Sequence, residues 1–374
     1  MKSINIGIIG AGRQGTNYIR MFMNNQISGA ILTSVCDIND DRINTIKSEY
    51  SQLHFYKDYN EMITKEPLDG VIVVTPHKSH PTIASDVLKK GLYVLSDKPM
   101  GVSLNKALEA FKNTDTSKLQ MMFNQRTIPE YQFLCELTHC NKLGRIKSYI
   151  WEITDWYRPQ AYYDLPDWHS TWYGEGGGLI INQCVHNIDL LCWLFGKPEK
   201  IHSQLYYGRY HNTLVDDAAT VSFIHENGII GILSASTGEL PGTNRLEISF
   251  DKGKIVREGN GKIEIFENEI SESEHSKLCK MNPKNGKFTR PKYTIETKEF
   301  EIIGHGHVQM IQNFIDNING LTPPLADYYD GLTCLKTINS IYLSAWKNGE
   351  VSLLESSDEY DELLKTKIED ESII

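Results

Sequence analysis

Lys98 lies in Ser96-Asp97-Lys98-Pro99, just after the apolar run Leu92-Tyr93-Val94-Leu95. A residue before proline is pushed out of the helical region, so Lys98 is expected to be extended and aimed in one direction. An ammonium held that way can donate to a hydroxyl and stabilise the alkoxide formed when its proton leaves. Removing that proton needs a base, and a near-neutral imidazole is the usual one. His186 is the candidate, within Gly176-Gly177-Gly178-Leu179-Ile180-Ile181-Asn182-Gln183-Cys184-Val185-His186-Asn187-Ile188-Asp189. A helix from Ile180 onward places Asn182, His186 and Asp189 on one face, at i, i+4 and i+7. Each residue also has a plain structural reading. Lys98 fits a surface lysine beside Asp97, and a lone histidine on an apolar helix is more often a satisfied core group. The glycine hinge and a lysine on a separate segment tip the balance toward chemistry, with Asn182 orienting the reacting group.

Such a pair needs a scaffold, and residues 4–15 indicate which. The run Ile4-Asn5-Ile6-Gly7-Ile8-Ile9 leads straight into Gly10-Ala11-Gly12-Arg13-Gln14-Gly15. In a dinucleotide site Gly10 permits the tight turn, Gly12 lets backbone approach a pyrophosphate, and Gly15 lets the following helix pack on the strand. The helix N-terminus presents free N–H groups to the phosphates. Asp37 ends the next apolar run, where a carboxylate accepts hydrogen bonds from the adenosine ribose. The acidic residue favours NAD over NADP, and Arg42 nearby leaves NADP open. Ala11, Arg13 and Gln14 within the motif, and Ile38 beside Asp37, complete the expected nucleotide contacts.

The first 126 residues alternate short apolar runs (71–74, 92–95 and 119–123 after the two above) with helical stretches (16–23, 82–90 and 105–113). This pattern predicts a doubly wound parallel sheet, a Rossmann-type α/β domain over 1–126. A helix is predicted over 129–139. Alternating runs follow at 146–154, 199–207, 218–225, 228–236 and 245–250, with edge strands at 262–266 and 293–302. They predict an α+β domain over 127–374 with a large, open, mostly antiparallel sheet. Residues 268–291 read as a mobile loop, 305–320 and 328–347 as closing helices, and the acidic segment after Ser356 as a frayed end.

Composition narrows the partners. A net charge of −10 over 374 residues argues against a general hold on nucleic acid. Seven cysteines without a Cys-x-x-Cys pair predict reduced thiols in a cytoplasmic protein and no metal site. Lys2 and the apolar run after it are not read as a secretory leader, because Asn5 and the glycine motif interrupt the run. No apolar run reaches membrane-spanning length, so no membrane partner is expected.

The stretch 151–173, WEITDWYRPQAYYDLPDWHSTWY, holds four tryptophans and four tyrosines. Aromatic faces stack on the C–H faces of sugars, and Trp and Tyr also carry polar handles. Trp156 and Tyr162 are the stacking candidates, and Asp155, Arg158 and Asp167 could read hydroxyls.

Taken together, GAGRQG, VTPHKSHP, SDKP and GGGLIINQCVHNIDLLCWLFGKP resemble the Gfo/Idh/MocA family of oxidoreductases over most of the chain. The closing PPLADYYDGLTCLKTINSIYLSAWKNGEV is similar to the family's last helix and strand. The resemblance implies hydride transfer between NAD(P) and a hydroxyl of a sugar, polyol or inositol, and a homodimer or homotetramer built on the open sheet. Lys98 matches the family's Glu-Lys-Pro lysine, with Asp97 in place of the glutamate, and His186 matches its histidine. Asn182 stands where the family often has aspartate. Thr75, Pro76 and His80 match the strand-end motif, whereas His77 replaces an asparagine. Trp168-His169 falls where Trp-Arg is usual near the cofactor. Asn124 joins the expected cofactor contacts and Arg126 the expected substrate contacts. Two further readings stay open: redox-neutral glycoside cleavage through transient sugar oxidation, and a sensor that binds nucleotide and sugar without turnover.

Overall fold

Short runs of Ile, Val and Leu without alternation need burial on both faces, which a parallel sheet covered by helices provides. The computed structural model describes residues 3–165, 168–286, 289–301 and 304–372. Its first sheet holds β1 (Ile4–Ile9), β2 (Ala30–Cys36), β3 (His54–Tyr56), β4 (Gly70–Val73), β5 (Tyr93–Ser96) and β6 (Leu119–Met121). All pairings are parallel, in the order β3-β2-β1-β4-β5-β6. The order reverses between β1 and β4, opening a crevice at the carboxyl ends where doubly wound sheets bind ligands. Thr75-Pro76 and Lys98 follow β4 and β5 at that edge.

Beyond the helix Pro129–His139, alternation takes over and a second sheet forms. It contains β7 (Ile146–Ile153), β8 (Pro198–Tyr207), β9 (Asp216–His225), β10 (Ile230–Ser236), β11 (Asn244–Phe250), β12 (Gly253–Glu258), β13 (Lys262–Asn268), β14 (Tyr293–Glu299) and β15 (Val351–Ser352). The order is β14-β13-β12-β11-β7-β10-β9-β8-β15. Only the central β7–β10 pair is parallel. One face packs on the helices Val185–Phe195 and Tyr328–Lys347, whose inward residues are fully buried. The other leaves Ile150, Ile224, Ile230 and Ile232 exposed as one patch, since Ile232 pairs with Ile150 and Ile230 with Ile224.

The chain then returns to the first sheet. Helix His307–Ile318 buries Met310, Ile311, Phe314 and Ile315 in the same core as Ile6, Ile8 and Val35. Helix Tyr328–Lys347 ties the two sheets together: Asn339 accepts from Leu104 N at 2.8 Å and donates to Val102 O at 3.0 Å.

Several expectations need correction. The segment read as a mobile loop contains the helix Glu272–Met281, whose first turn is closed by a capping box between Ser271 and Glu274. The acidic end is the helix Asp358–Glu371, not a frayed tail. It buries Tyr360 and Leu364, and Tyr360 donates to Val102 O at 3.1 Å. Strands β3 and β12 were not expected, because His54-Phe55-Tyr56 is too short to show a period and 253–258 mixes charge with Ile and Val. The predicted strand 293–302 is described as far as Glu299, and Ile302 lies outside the described residues.

Candidate active site

The glycine motif has the geometry a pyrophosphate requires. A Cβ on Gly15 would sit 1.9 Å from Gly10 O, so only glycine lets the helix Arg13–Met23 approach β1 this closely. A Cβ on Gly12 would meet nothing nearer than Arg42 Nη1 at 3.8 Å, so that face of the turn is open. No side chain caps this helix, no acidic residue occupies its first turn, and Arg13 and Gln14 begin it. The N-terminus is therefore ready for an anion. Asp37 is buried at the end of β2, accepting from Ala11 N at 2.7 Å and Asn39 N at 2.8 Å. Ile38 beside it is fully exposed, a free apolar face at the adenosine end, and Arg42 Nη1 lies 3.6 Å from Asp37. These residues fit NAD, and Arg42 would meet any group added to the ribose.

Across the crevice, Lys98 is the centre of a buried network. Asp97 Oδ1 accepts from the Lys98 backbone N at 2.7 Å, fixing the chain direction at the strand end. Lys98 Nζ donates to both Asn182 O and Asn182 Oδ1, each at 2.9 Å. An ammonium has three donors, so one remains for a ligand. Burial lowers the lysine pKa, while Asp97 and Glu175 oppose the fall.

Asn182 reaches this position through the glycine turn. Gly177 has φ +145°, and a Cβ there would lie 2.1 Å from the Tyr342 hydroxyl. Buried Asp216 holds the turn, accepting from Gly178 N, Ile180 N and the Tyr342 hydroxyl, each at 2.8 Å. The helix expected to run on from Ile180 is interrupted after Leu179–Asn182 and resumes at Val185–Phe195. Gln183 and Cys184 both donate back to Leu179 O, and the Asn182 carbonyl turns to Lys98.

Partnerships among these residues revise three expectations. Asp189 follows His186 by one turn on the helix Val185–Phe195, but its carboxylate is committed to Arg126, whose Nε and Nη2 donate to it at 2.9 and 2.6 Å. Arg126 also pairs with Asp330 at 3.0 Å and donates to Leu325 O, so it braces the core rather than meeting substrate. The Asn182 amide is committed to its neighbours, its donors going to Glu175 and to Tyr162 Oη, the latter at 2.9 Å.

His186 feels the charge of Lys98, and its Nδ1 is buried without a hydrogen-bond partner. Burial, then the charge of Lys98 and the nearby His307 and His305, push its pKa well below the usual imidazole value. The ring is therefore neutral at pH 7 and ready to accept a proton.

The remaining candidates separate into those at the site and those away from it. Tyr162 Oη accepts from Asn182 Nδ2 and, at 3.2 Å, from Gln183 Nε2, leaving its own O–H to donate outward. The Arg158 guanidinium lies over the Tyr162 and Trp156 rings, 5.4 and 5.8 Å from their centroids, and acts electrostatically on Lys98. Trp168 stacks on His169 at 4.1 Å and meets His77 edge-on at 5.1 Å, while His77 Nδ1 bonds Glu175 O. His80 bridges Thr75 O at 2.6 Å and Pro99 O at 2.8 Å, locking the two strand-end loops together. Asn124 is buried, donating to His305 O. Trp156 Nε1 donates to Asn187 Oδ1 at 3.2 Å, and Asp155 accepts from Asn244 at 3.0 Å on the exposed side. Asp167 lies outside the described residues. Glu175, Gln183 and Asp216 escaped the sequence reading. A carboxylate directly before three glycines is the signal that marks Glu175.

Two family models match the chain: "Oxidoreductase family, NAD-binding Rossmann fold" over residues 4–125 and "GFO/IDH/MocA C-terminal domain" over residues 131–256. The chain belongs to the Gfo/Idh/MocA oxidoreductase family. It is 27% identical to the rhizopine catabolism protein MocA of Rhizobium meliloti over 53% of this chain and 59% of that protein. It is 26% identical to myo-inositol 2-dehydrogenase of Thermotoga maritima over 67% of this chain and 74% of that enzyme. The fold is similar to that of the WlbA dehydrogenase of Chromobacterium violaceum, solved with NADH and UDP-GlcNAcA. The TM-score there is 0.79 at 26% identity, covering 96% of this chain and 98% of the other. This family member thus carries an NAD-binding Rossmann domain joined to a mixed, mostly antiparallel sheet.

Two glycines separate fold from nucleotide binding. Gly15→Ala should lower the melting temperature, because its methyl collides with backbone. Gly12→Ala should keep the melting temperature and weaken NADH binding about tenfold or more, since its methyl enters the space left for phosphate. Fluorescence titration with NADH beside a thermal melt checks both.

Proposed function

We propose that this protein is an NAD(P)-dependent dehydrogenase acting on a secondary hydroxyl of a cyclic sugar, glycoside or inositol. The observation that supports the reading is the Lys98 ammonium, with one donor remaining, whose charge acts on His186, a residue with a buried Nδ1 that has no hydrogen-bond partner. Gly10, Gly12, Gly15 and Asp37 would hold NAD, with Ile38 covering the adenosine end. When bound, NAD supplies the hydride acceptor at nicotinamide C4. Lys98 donates to the substrate oxygen and stabilises the alkoxide, and His186 takes the hydroxyl proton. Asn182 holds Lys98 from both its carbonyl oxygens. Tyr162 and Arg158 line the ring side, where the aromatic cluster suits a sugar face. Asp37 favours NAD, with Arg42 positioned to tolerate NADP.

NADH absorbance with a panel of inositols, hexoses, glycosides and nucleotide sugars tests this reading. Lys98→Met should cost about a hundredfold or more in kcat, and His186→Ala about 10²–10⁴-fold. The imidazole pKa is lowered on folding, so the base stays neutral on descending through the ordinary histidine range near pH 6.5. The acid limb of sugar oxidation should therefore lie below that range; a limb at pH 6.5 or above, or a His186→Ala loss under about tenfold, would refute the assignment. Aglycone release without net NADH would instead indicate redox-neutral glycoside cleavage.

We also infer that a second copy of the chain covers the exposed isoleucine patch on β7, β9 and β10, a contiguous apolar face with a helix-covered reverse side. Light scattering on the purified protein should give a dimer or tetramer. Ile150→Lys with Ile232→Lys should yield a folded monomer, and an unchanged mass would remove the patch from the interface.

A further inference from the structure

Glu175 precedes the glycine run, and the residue is only 1% exposed. One oxygen accepts from Ser170 N at 2.9 Å, and the other takes the side-chain amide of Asn182. The far end of that amide, Asn182 Oδ1, receives Lys98 Nζ at 2.9 Å. The amide therefore has a defined orientation, nitrogen toward the carboxylate and oxygen toward the ammonium. In a low-dielectric site each bond of such a chain polarises the next. A carboxylate at position 182 would instead face that of Glu175 at hydrogen-bond distance, and like charges so close do not both ionise.

We propose that Glu175 is a positioning residue for Lys98: its buried carboxylate aligns the Asn182 amide and, through it, holds the ammonium charged and aimed into the crevice. The assignment rests on the reading of Lys98 as the donor to substrate oxygen. The charged and titratable groups that act electrostatically on the ammonium include Asp97, Glu175, Arg158 and Cys334, and the ammonium acts in turn on the imidazoles of His77, His80, His186 and His307. Burial pushes the Cys334 thiol well up, and Asp97 and Glu175 are the carboxylates of this set. Asp97 holds the lysine backbone, and Glu175 is the one linked to the Lys98 side chain through a single amide.

The test is a charge relocation read in two ways. Competitive acetylation of Lys98 by acetic anhydride across pH, quantified by peptide mass spectrometry on the whole protein, needs no substrate. Glu175→Gln should move the labelling midpoint down by about one pH unit, because an anion near the ammonium is lost. Asn182→Asp combined with Glu175→Gln exchanges the amide and the carboxylate, brings the anion into direct contact with the ammonium, and should return the midpoint to the wild-type value or above it. In turnover, each single variant should lose about tenfold in kcat with KM within about twofold, and the pair should recover to within about threefold of wild type. A midpoint unmoved by Glu175→Gln, or losses that simply multiply in the pair, would overturn the proposal. If Glu175→Gln does not fold alone, the pair decides: a midpoint at or above the wild-type value supports the relay and a lower one refutes it. If the wild-type protein oxidises no sugar, the dehydrogenase reading fails, and the labelling experiment still decides the role of Glu175.

Discussion

A buried ammonium must be met by oxygen or give up its proton, and that demand joins the two halves of this molecule at Lys98. The lysine comes from the end of β5 in the parallel sheet; the oxygens that receive it belong to Asn182, beneath the second sheet. Neither half holds the arrangement by itself. The two segments are brought into register by contacts that have no chemistry of their own: His80 linking the loops after β4 and β5, Asn339 pinning the chain beyond Pro99, and Asp216 gripping the glycine turn.

The glycine turn shows how local irregularity serves the site. A continuous helix from Leu179 would turn the Asn182 carbonyl back into its own backbone. The break at Gln183 and Cys184 presents both oxygens of Asn182 to one ammonium, and His186 opens the next helix. Arg126 and Asp189 form a buried ion pair along that helix, and removing either partner of such a pair typically costs about 3–5 kcal/mol.

Much of this was legible in the sequence where a residue type has one geometric use. Gly-x-Gly-x-x-Gly after an apolar run, Asp37 at the next strand end and Lys98 before proline each specify a backbone conformation or a strand-end position. Partnerships were harder to read. Arg126 looked like a substrate contact because an arginine beside a cleft segment is not marked as paired until Asp189 and Asp330 are seen around it. The alignment of Asn182 with His186 and Asp189 assumed unbroken helical spacing, and nothing in Asn-Gln-Cys-Val announces an interruption that tertiary contacts impose. Helix Asp358–Glu371 read as frayed because its composition is acidic, yet Glu, Leu and Lys favour a helix, acids suit its first turn, and Tyr360 and Leu364 are buried.

The central claim is that Lys98 and His186 act on the same oxygen. A double-mutant cycle tests it most directly, using Lys98→Met, His186→Ala and their combination, with NADH formation followed in a single turnover on the sugar the wild-type protein oxidises. If the two groups act on one alkoxide as a unit, the double variant should be scarcely slower than the slower single variant. Losses that multiply across the cycle would mean that the two residues act independently, and the shared-oxygen account would be wrong.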